Sequence, residues 1–453
     1  IGGLSLFLFG MNIMGQALER RAGSGLRSLL SKMTSNKYIG LLTGLVVTAI
    51  IQSSSATTVM VVGFVNSGLM TLRQAIHMIM GANIGTTVTA WILSLAGISS
   101  SNLFIQLLKP SSFTPVLALI GTIKLMFSKN DKSKDTGLIL LGFATLMYGM
   151  ESMSAAVSGL RDVPSFQQLF LLFQNPVLGV LAGAALTAII QSSSASVGIL
   201  QALAATGQVT YGAAIPIIMG QNIGTCVTAL ISSVGANKNA KRAAMVHLSF
   251  NVIGTAVWLT VFCLVKAIFA PALLQESTSL MGIAVAHSLF NLLCTLLMLP
   301  LSQWLEALVC KLVPDSKQPE VASELDERLL AAPAVALERC RKVAADMAAT
   351  SVRALNQGIT ALTDFTPETA KQVQEEEDKT DHLEDILGTY LVKLSTRSIS
   401  ADDSNEAARL LKIIGDFERI ADHAVNLVHS SEELQQKKME LSAPALAELK
   451  VLT

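Results

Sequence analysis

The strongest constraint on the fold is that the chain repeats itself. The nine residues TAIIQSSSA stand at 48–56 and return unaltered at 187–195. A shift of 139 positions (191 − 52) also places MGANIGTTVTA, at 80–90, on MGQNIGTCVTA, at 219–229, without a gap in the register. We interpret this as a duplication, so the two copies are expected to fold alike.

Composition places the repeated region in a membrane. The 453 residues are 51% hydrophobic and only 15% charged, with a mean hydropathy of +0.53, whereas soluble domains carry about a quarter charged residues. Apolar runs such as 243–265 and 280–301 match the roughly 20 residues that span a bilayer. Beyond Lys311 charged residues become dense. The sequence therefore predicts an all-α membrane domain followed by a smaller soluble one.

Charge, cysteine content and motifs argue against several other classes. The 33 basic and 33 acidic residues balance, which argues against nucleic acid as a partner. The five cysteines have neither disulfide-framework nor metal-ligand spacing. Because the sequence contains no nucleophile–base pair and no nucleotide-binding loop, we do not expect an enzyme. The opening stretch 1–17 lacks the basic flank of a signal peptide and is interpreted as a spanning helix.

Loop charges predict the orientation of the two copies. Residues 19–37 carry five basic residues, whereas the equivalent 158–176 carries only Arg161. The bias then reverses, since 98–103 has no basic residue and 237–242 has three. Basic loops stay cytoplasmic. We therefore predict two repeats of inverted topology, with the C-terminal domain in the cytoplasm.

Residues 38–97 must cross the membrane an odd number of times in this topology. Three full spans would use nearly all of them and leave none for the turn at 66–68. One crossing plus a re-entrant, broken-helix segment fits better. Irregular backbone at membrane depth is tolerated only against protein or a water-filled cavity, so such a segment would line a site.

Each copy places Gln-Ser-Ser-Ser inside an apolar run. Small polar residues often serve helix packing in membranes, but four consecutive ones cannot share one helix face, because neighbours are about 100° apart. Hydroxyls, amides and the free backbone groups of a broken helix can instead bind an oxyanion and coordinate Na⁺. The candidate binding residues are Thr48, Gln52, Ser53, Ser54, Ser55, Asn83 and Thr86 in the first copy and Thr187, Gln191, Ser192, Ser193, Ser194, Asn222 and Thr225 in the second.

Charged side chains are missing from the core runs of both copies, apart from Arg73. Arg73 has no duplicated partner, so we place it outside the site. A multiply charged anion at mid-membrane is costly alone, and bound Na⁺ would neutralise it. Protons are a weaker alternative for coupling, because His77 is not repeated and His247 and His287 are interpreted as structural or interfacial. The residues thus predict ion-coupled transport of a small polar anion.

The duplicated QSSS motif, at 52–55 and 191–194, resembles the type II sodium/phosphate cotransporters in their bacterial form with a PhoU-like domain. The likeness covers nearly the whole membrane part. It implies Na⁺-coupled transport of inorganic phosphate, substrate and sodium sites along both motifs, and a homodimer in the bacterial inner membrane. Two other hypotheses remain: transport of another oxyanion such as sulfate, and a membrane-anchored phosphate sensor that transports nothing.

The tail is predicted to form amphipathic helices over 334–365, 367–398 and 402–429. The stretches EEEDKTDHLEDIL, from Glu375, and DFERIADHAVNL, from Asp416, resemble the PhoU signature. The region resembles one of the two three-helix bundles of a PhoU protein.

Each of these two stretches contains a Glu-x-x-x-Asp pair, whose spacing puts both carboxylates on one helix face. From spacing alone, ordinary solvated acidic pairs remain the alternative to a metal site built of oxygen ligands. The resemblance implies a metal ion in the PhoU-like domain, with the candidate ligands Glu377, Asp381, Glu418 and Asp422.

Four segments follow from these patterns. We predict membrane repeat 1 at 1–135, membrane repeat 2 plus an extra final helix at 136–308, a linker at 309–333, and a cytoplasmic PhoU-like helical bundle at 334–453.

Overall fold

A computed structural model describes residues 1–31, 36–97, 109–159, 163, 172–314, 325–397 and 399–452. The chain divides into two compact units, Ile1–Ala332 and Pro333–Thr453. In the described residues all regular structure is helical, apart from an isolated β-bridge between Thr210 and Ser277. The predicted loop 98–103 and most of the predicted loop 158–176 lie outside the described residues.

The first unit is a set of apolar helices. Those described are α1 Gly2–Ser31, α2 Lys37–Ile51, α3 Ser54–Asn66, α4 Leu72–Gly85, α5 Thr87–Ser94, α6 Pro110–Phe127, α7 Asp131–Ser158, α8 Pro176–Ile190, α9 Ser193–Ala204, α10 Tyr211–Ser232, α11 Lys238–Phe269, α12 Leu280–Met298 and α13 Ser302–Leu312. Six segments (the α4–α5 stretch, α6, α7, α10, α11 and α12) are long and apolar enough to cross a membrane. The prediction of an all-α, multi-pass membrane domain is confirmed.

Both repeated motifs interrupt a helix. The first lies between α2 and α3 and the second between α8 and α9, and none of these four helices is long enough to span a bilayer alone. Leu41 lies beside Gly81 and Leu45 beside Gly85, so α4 runs parallel to α2. Since α4 starts again near the level at which α2 starts, α3 must run back between them. The same order relates α8 to α10, at Val180 with Gly220 and Ala184 with Gly224.

The helices α1 and α7 pack against each other through equivalent positions of the two copies. A Cβ atom on Gly3 would lie 2.8 Å from the backbone nitrogen of Met153, and one on Gly142 would lie 2.8 Å from that of Met14. Gly3 and Gly142 are equivalent, as are Met14 and Met153. Equivalent helices thus meet antiparallel through the same surface, as an inverted pair of repeats requires.

The two hairpins open toward opposite ends of α11. Asn66, at the end of α3, accepts a hydrogen bond of 2.7 Å on Oδ1 from the backbone N–H of Asn237, just before α11 begins. Val209, past the end of α9, accepts one of 2.8 Å on its carbonyl from the N–H of Thr278, beyond the other end of α11. This arrangement agrees with inversion, although the orientation across a bilayer stays a prediction.

The second unit is a three-helix bundle with a short additional helix. Its helices are α14 Pro333–Ala361, α15 Pro367–Ser395, α16 Ala401–Gln436 and α17 Ala443–Leu452. Apolar residues spaced along α14, α15 and α16 form the core, among them Ala354, Val373 and Val428. Thr366 caps α15 by accepting from the N–H of Thr369. The three predicted amphipathic helices are present, with ends that differ by a few residues except for the longer α16.

The predicted linker at 309–333 differs from what the structure shows. α13 extends to Leu312, and residues 325–332 belong to the first unit. Residues 315–324 lie outside the described residues. Within residues 325–332, Asp326 and Arg328 pair with each other at 2.8 Å and Leu329 is buried.

Candidate functional site

The glutamine of each motif ends one helix and the following serine starts the next. Gln52 has left-handed backbone angles (φ 59°, ψ 24°), and its N–H still donates to the Thr48 carbonyl at 2.8 Å. Ser53 is extended, and its Oγ caps α3 by accepting from the N–H of Ala56 at 3.2 Å. The second copy repeats this geometry at Gln191 (φ 58°) and Ser192. A left-handed glutamine is uncommon, and its occurrence twice makes the break a defined feature.

The two breaks bring two helix N-termini together. Ser54 and Ser193 are the first residues of α3 and α9, both are buried, and their Oγ atoms lie 3.5 Å apart. The first N–H groups of a helix have no partner within it, and the macrodipole places partial positive charge at that end. Such ends bind anions. Two of them converging on paired hydroxyls form a site suited to an oxyanion.

Two threonines from the α4–α5 stretch connect the copies. Thr86 donates from Oγ1 to Ser54 Oγ at 3.2 Å and lies 3.4 Å from Ser193 Oγ. Thr89 donates to Gln52 Oε1 at 3.0 Å and accepts from Ser194 Oγ at 3.3 Å. We call Ser54, Thr86, Thr89, Ser193 and Ser194 the hydroxyl cluster. Sequence reasoning missed Thr89, although its repetition as Thr228 in the shared VTA stretch was the available signal.

The cluster is not symmetric. Thr225, the equivalent of Thr86, donates to the Gln221 carbonyl of its own helix at 2.9 Å. α4 ends just before Thr86, whereas α10 continues unbroken through Thr225. Gln52 is buried but Gln191 is exposed. Identical motifs therefore present different surfaces, and the first copy supplies the bridging threonines.

Two other predicted residues, Thr48 and Thr187, stabilise the breaks by linking the helices on either side of each motif. Thr48 donates to Thr57 Oγ1 at 3.1 Å, and the equivalent Thr187 donates to Ser196 Oγ at 2.8 Å. Each bond joins the helix that enters the motif to the helix that leaves it. Asn83 and Asn222 are buried, and each donates to a carbonyl one turn earlier in its own helix, at 2.9 Å and 2.8 Å. Ser55 reaches the other copy and donates to the Gln191 carbonyl at 3.4 Å.

Side-chain charge is absent from both hairpins, since residues 38–72 and 177–237 contain no Asp, Glu, Lys or Arg. Arg73 is paired through Nε with Glu306 at 3.0 Å and is largely exposed, so it lies outside the hydroxyl cluster. His77, His247 and His287 are buried and make no hydrogen bond to the cluster among the described residues. Helix ends and hydroxyls are therefore the polar groups that the site offers to an anion.

The acidic pairs of the tail face each other across α15 and α16. Burial, then Asp378, Asp422 and Asp381, raise the pKa of the Glu377 carboxyl above its ordinary value. Burial, then Asp422, Glu384 and Asp381, raise the pKa of Glu418. Nevertheless, no group of three or more His, Cys, Asp or Glu in the described residues is arranged to hold a metal ion. The described residues therefore do not support the predicted metal site at Glu377, Asp381, Glu418 and Asp422.

A helical membrane unit in which two broken helices meet end to end at a buried, uncharged site has the architecture of a secondary transporter. The Na⁺/Pi-cotransporter family model matches residues 6–155 and 160–292, and the chain belongs to this family. A PhoU domain model matches residues 344–430 in the second unit. This is a family of transporters and not of enzymes, as the sequence predicted.

Similar proteins include transporters from distant organisms. The putative inorganic phosphate export protein YjbB of Salmonella typhimurium is 24% identical over 453 residues, covering 99% of this chain and 78% of its own. The uncharacterized protein YqeW of Bacillus subtilis is 31% identical over 309 residues, covering 68% of this chain and 95% of its own. Human sodium-dependent phosphate transport protein 2B is 39% identical over 106 residues, covering 23% and 15%. No solved structure matches the chain significantly.

Proposed function

We propose that this protein is a Na⁺-coupled secondary transporter of inorganic phosphate that binds its substrate between the N-termini of α3 and α9. The observation that carries the proposal is the contact between Ser54 and Ser193, where two positive helix ends and paired hydroxyls meet. Phosphate oxygens accept hydrogen bonds from hydroxyl and backbone N–H groups alike. Family membership and the phosphate-related names of two relatives support the choice of cargo.

Sodium completes the charge balance of this proposal. Half-charges at two helix ends do not neutralise a phosphate ion in a low-dielectric site. The hydroxyl cluster and Gln52 Oε1 supply oxygen atoms, the ligands that a hard cation prefers. The name of the human relative, a sodium-dependent transporter, supports Na⁺ as the coupling ion.

Phosphate uptake into proteoliposomes tests the proposal directly. We expect uptake with an inward Na⁺ gradient and little with K⁺, and a phosphate affinity that rises steeply with Na⁺. By linkage, phosphate must raise Na⁺ affinity by the same factor. Identical phosphate binding in Na⁺ and K⁺ would refute the coupling.

The same vesicles separate the alternative functions. Uptake of sulfate in place of phosphate would identify a transporter of another oxyanion. Phosphate binding with no flux in either direction would identify a sensor. Reversing the Na⁺ gradient tests export, which the name of the Salmonella relative suggests.

Orientation and assembly belong to the same proposal. We propose that the repeats are inverted in the bacterial inner membrane with the tail in the cytoplasm, supported by the antiparallel contact of α1 and α7 and the loop charges. We also propose a homodimer, on family resemblance. Single cysteines at Ser128 and Gln275, tested with a membrane-impermeant thiol reagent in a background lacking the native cysteines, should react from opposite sides of the membrane.

A further inference from the structure

Residues 325–332, which we call the strap, are held against the end of α3. The strap contains the 3₁₀ turn Glu327–Ala331. A Cβ atom on Gly63 would lie 3.0 Å from Cβ of Arg328 and 3.1 Å from Cδ2 of Leu329. Glycine at position 63 therefore allows the strap to lie directly on the helix.

A buried carboxylate fixes the strap to α3. Asp326 is 3% exposed, and its Oδ2 accepts from Asn66 Nδ2 at 2.5 Å and from Arg328 Nη1 at 2.8 Å. Its Oδ1 accepts from the backbone N–H of Arg328 at 2.8 Å. A buried charge is tolerated only when paired and hydrogen-bonded, so the docked state depends on these partners.

The strap also holds the α10–α11 turn. Arg328 donates from Nε to the Ser232 carbonyl at 2.5 Å and from Nη2 to the Val234 carbonyl at 3.1 Å. Asn66, in turn, accepts from the N–H of Asn237 and its carbonyl accepts from Asn237 Nδ2 at 2.8 Å. Three segments that are distant in sequence are therefore tied at one point: the end of α3, the α10–α11 turn and the strap.

Helix α3 connects this point with the hydroxyl cluster. α3, which is 13 residues long, begins at Ser54 in the cluster and ends at Asn66 in the strap contact. The strap is followed directly by Pro333, the first residue of the second unit. A displacement of the strap therefore acts on a helix whose other end forms the site.

We propose that the strap acts as a brake on transport. When the strap is docked on α3, it holds this helix in place and slows the conformational cycle of the transporter. When the tail releases the strap, α3 can move. The brake on rate rests on the proposed transport function, whereas the docking itself does not. The docked state is fully hydrogen-bonded, and release returns Asp326 and Arg328 to water, where they are also satisfied. Asp326 and Arg328 are thus hydrogen-bonded in the docked state and hydrated in the released state. Neither state leaves a charge without partners, so both can be populated, as a two-state switch requires.

The full-length protein offers a charge-exchange test of the brake. Asn66→Asp places a second carboxylate against Asp326 and should release the strap. Asn66→Asp combined with Asp326→Asn again pairs an amide with a carboxylate at these positions, but Arg328 loses its carboxylate partner, so docking should be restored only in part. Lys129→Gln, at an exposed position outside the strap, is the control. Gly63→Val adds methyl groups beyond a Cβ that would already lie 3.0 Å from Arg328 and 3.1 Å from Leu329, so it displaces the strap while every polar partner is kept. It covers the case in which Asn66→Asp does not fold.

Two quantities are measured for each variant: the hydrogen exchange of residues 325–332 and of the last turn of α3, and the maximal transport rate. We expect Asn66→Asp and Gly63→Val to raise exchange in both segments at least tenfold and the maximal rate at least twofold. The double variant should fall between Asn66→Asp and the parent in both, and Lys129→Gln should match the parent. Exchange that rises in the strap but not in α3, or a rate that stays constant or falls in a folded protein, overturns the brake. A parent with no flux at all contradicts the proposed function, and the exchange results then still decide whether the strap holds α3.

Discussion

At the scale of single residues, equivalent positions of the two copies make different contacts. Thr86 reaches both serines, whereas its equivalent Thr225 is bonded within its own helix. The sequence could not show this difference, because NIGT is the same in both copies and the break before Thr86 depends on packing around it. The pairing of Ser54 with Ser193, by contrast, was predictable from the duplication.

We expect Ser54→Ala and Ser193→Ala each to weaken phosphate binding about tenfold or more, because a hydrogen bond to a charged group contributes about 1.5–3 kcal/mol. Binding is measured by equilibrium dialysis at fixed Na⁺, with the melting temperature recorded for each variant. Ser158→Ala, at an exposed helix end, is the control. Unchanged binding in both variants would contradict the site.

The asymmetry gives a second comparison. Thr86→Val and Thr225→Val remove the same hydroxyl from equivalent positions and keep the shape. We expect Thr86→Val to reduce phosphate affinity several-fold more than Thr225→Val, because only Thr86 contacts the serines. Equal losses in titrations at the same Na⁺ concentration would show that the two copies contribute equally.

At the scale of helices, close backbone packing holds each hairpin beside the helix that follows it. A Cβ atom on Gly81 would lie 1.9 Å from the Leu41 carbonyl oxygen, and one on Gly220 would lie 1.9 Å from that of Val180. The broken hairpins themselves were predictable, because a run of four polar residues in a sixty-residue segment leaves few alternatives. The parallel pairing of α2 with α4 was not, because small residues serve many packing geometries.

We expect Gly81→Ala to destabilise the membrane unit by about 1–3 kcal/mol, the usual effect of overpacking. Thermal unfolding in detergent measures this, with Gly159→Ala as control, since a Cβ at Gly159 meets nothing within 4 Å. A melting temperature equal to that of the control would mean that α2 and α4 separate easily.

The carboxylates between α15 and α16 predict a pH dependence of the tail. Because the pKa values of Glu377 and Glu418 are raised in the folded tail, the folded state binds more protons than the unfolded one. Their contribution to stability is present at low pH and is lost as pH rises through the folded pKa. Glu377→Gln with Glu418→Gln should therefore stabilise the tail at pH 7 by about 0.2–0.5 kcal/mol per relieved pair.

The stabilisation of the tail is measured by hydrogen exchange of α15 and α16 in the full-length protein. Glu440→Gln, at an exposed position, is the control. The difference from the parent should shrink towards pH 4. Stabilisation that persists unchanged at pH 4 would assign the effect to packing and not to charge.

At the scale of the whole molecule, the presence of two compact units was predictable from the change in composition near Lys311. The exact place of the boundary was not. The strap has a charged, short sequence that indicates a linker, and its partner Asn66 lies 260 positions away. A local sequence pattern cannot predict a contact between residues so far apart in the sequence.

Two shortened chains distinguish the effect of the strap on transport from that of the tail. Ending the chain after Ala332 keeps the strap, so Na⁺-dependent transport should continue within twofold of the parent rate. Ending it after residue 314 removes the strap, so the maximal rate should rise at least twofold. Proteoliposome flux measures both, and complete loss of flux from a folded chain ending at 332 would place the tail within the transport machinery.

The contact between α1 and α7 bears on how such a chain can arise. Gly3 meets Met153 and Gly142 meets Met14, so each copy uses the surface that the other copy uses. A surface that fits its own antiparallel duplicate forms a closed pair with two-fold symmetry. A gene encoding one repeat, whose product inserted in both orientations, would already have made this contact between two chains. Under the proposed inverted topology, fusion of the duplicated genes would fix one of each orientation in every molecule and free the two copies to differ in their contacts, as Thr86 and Thr225 do.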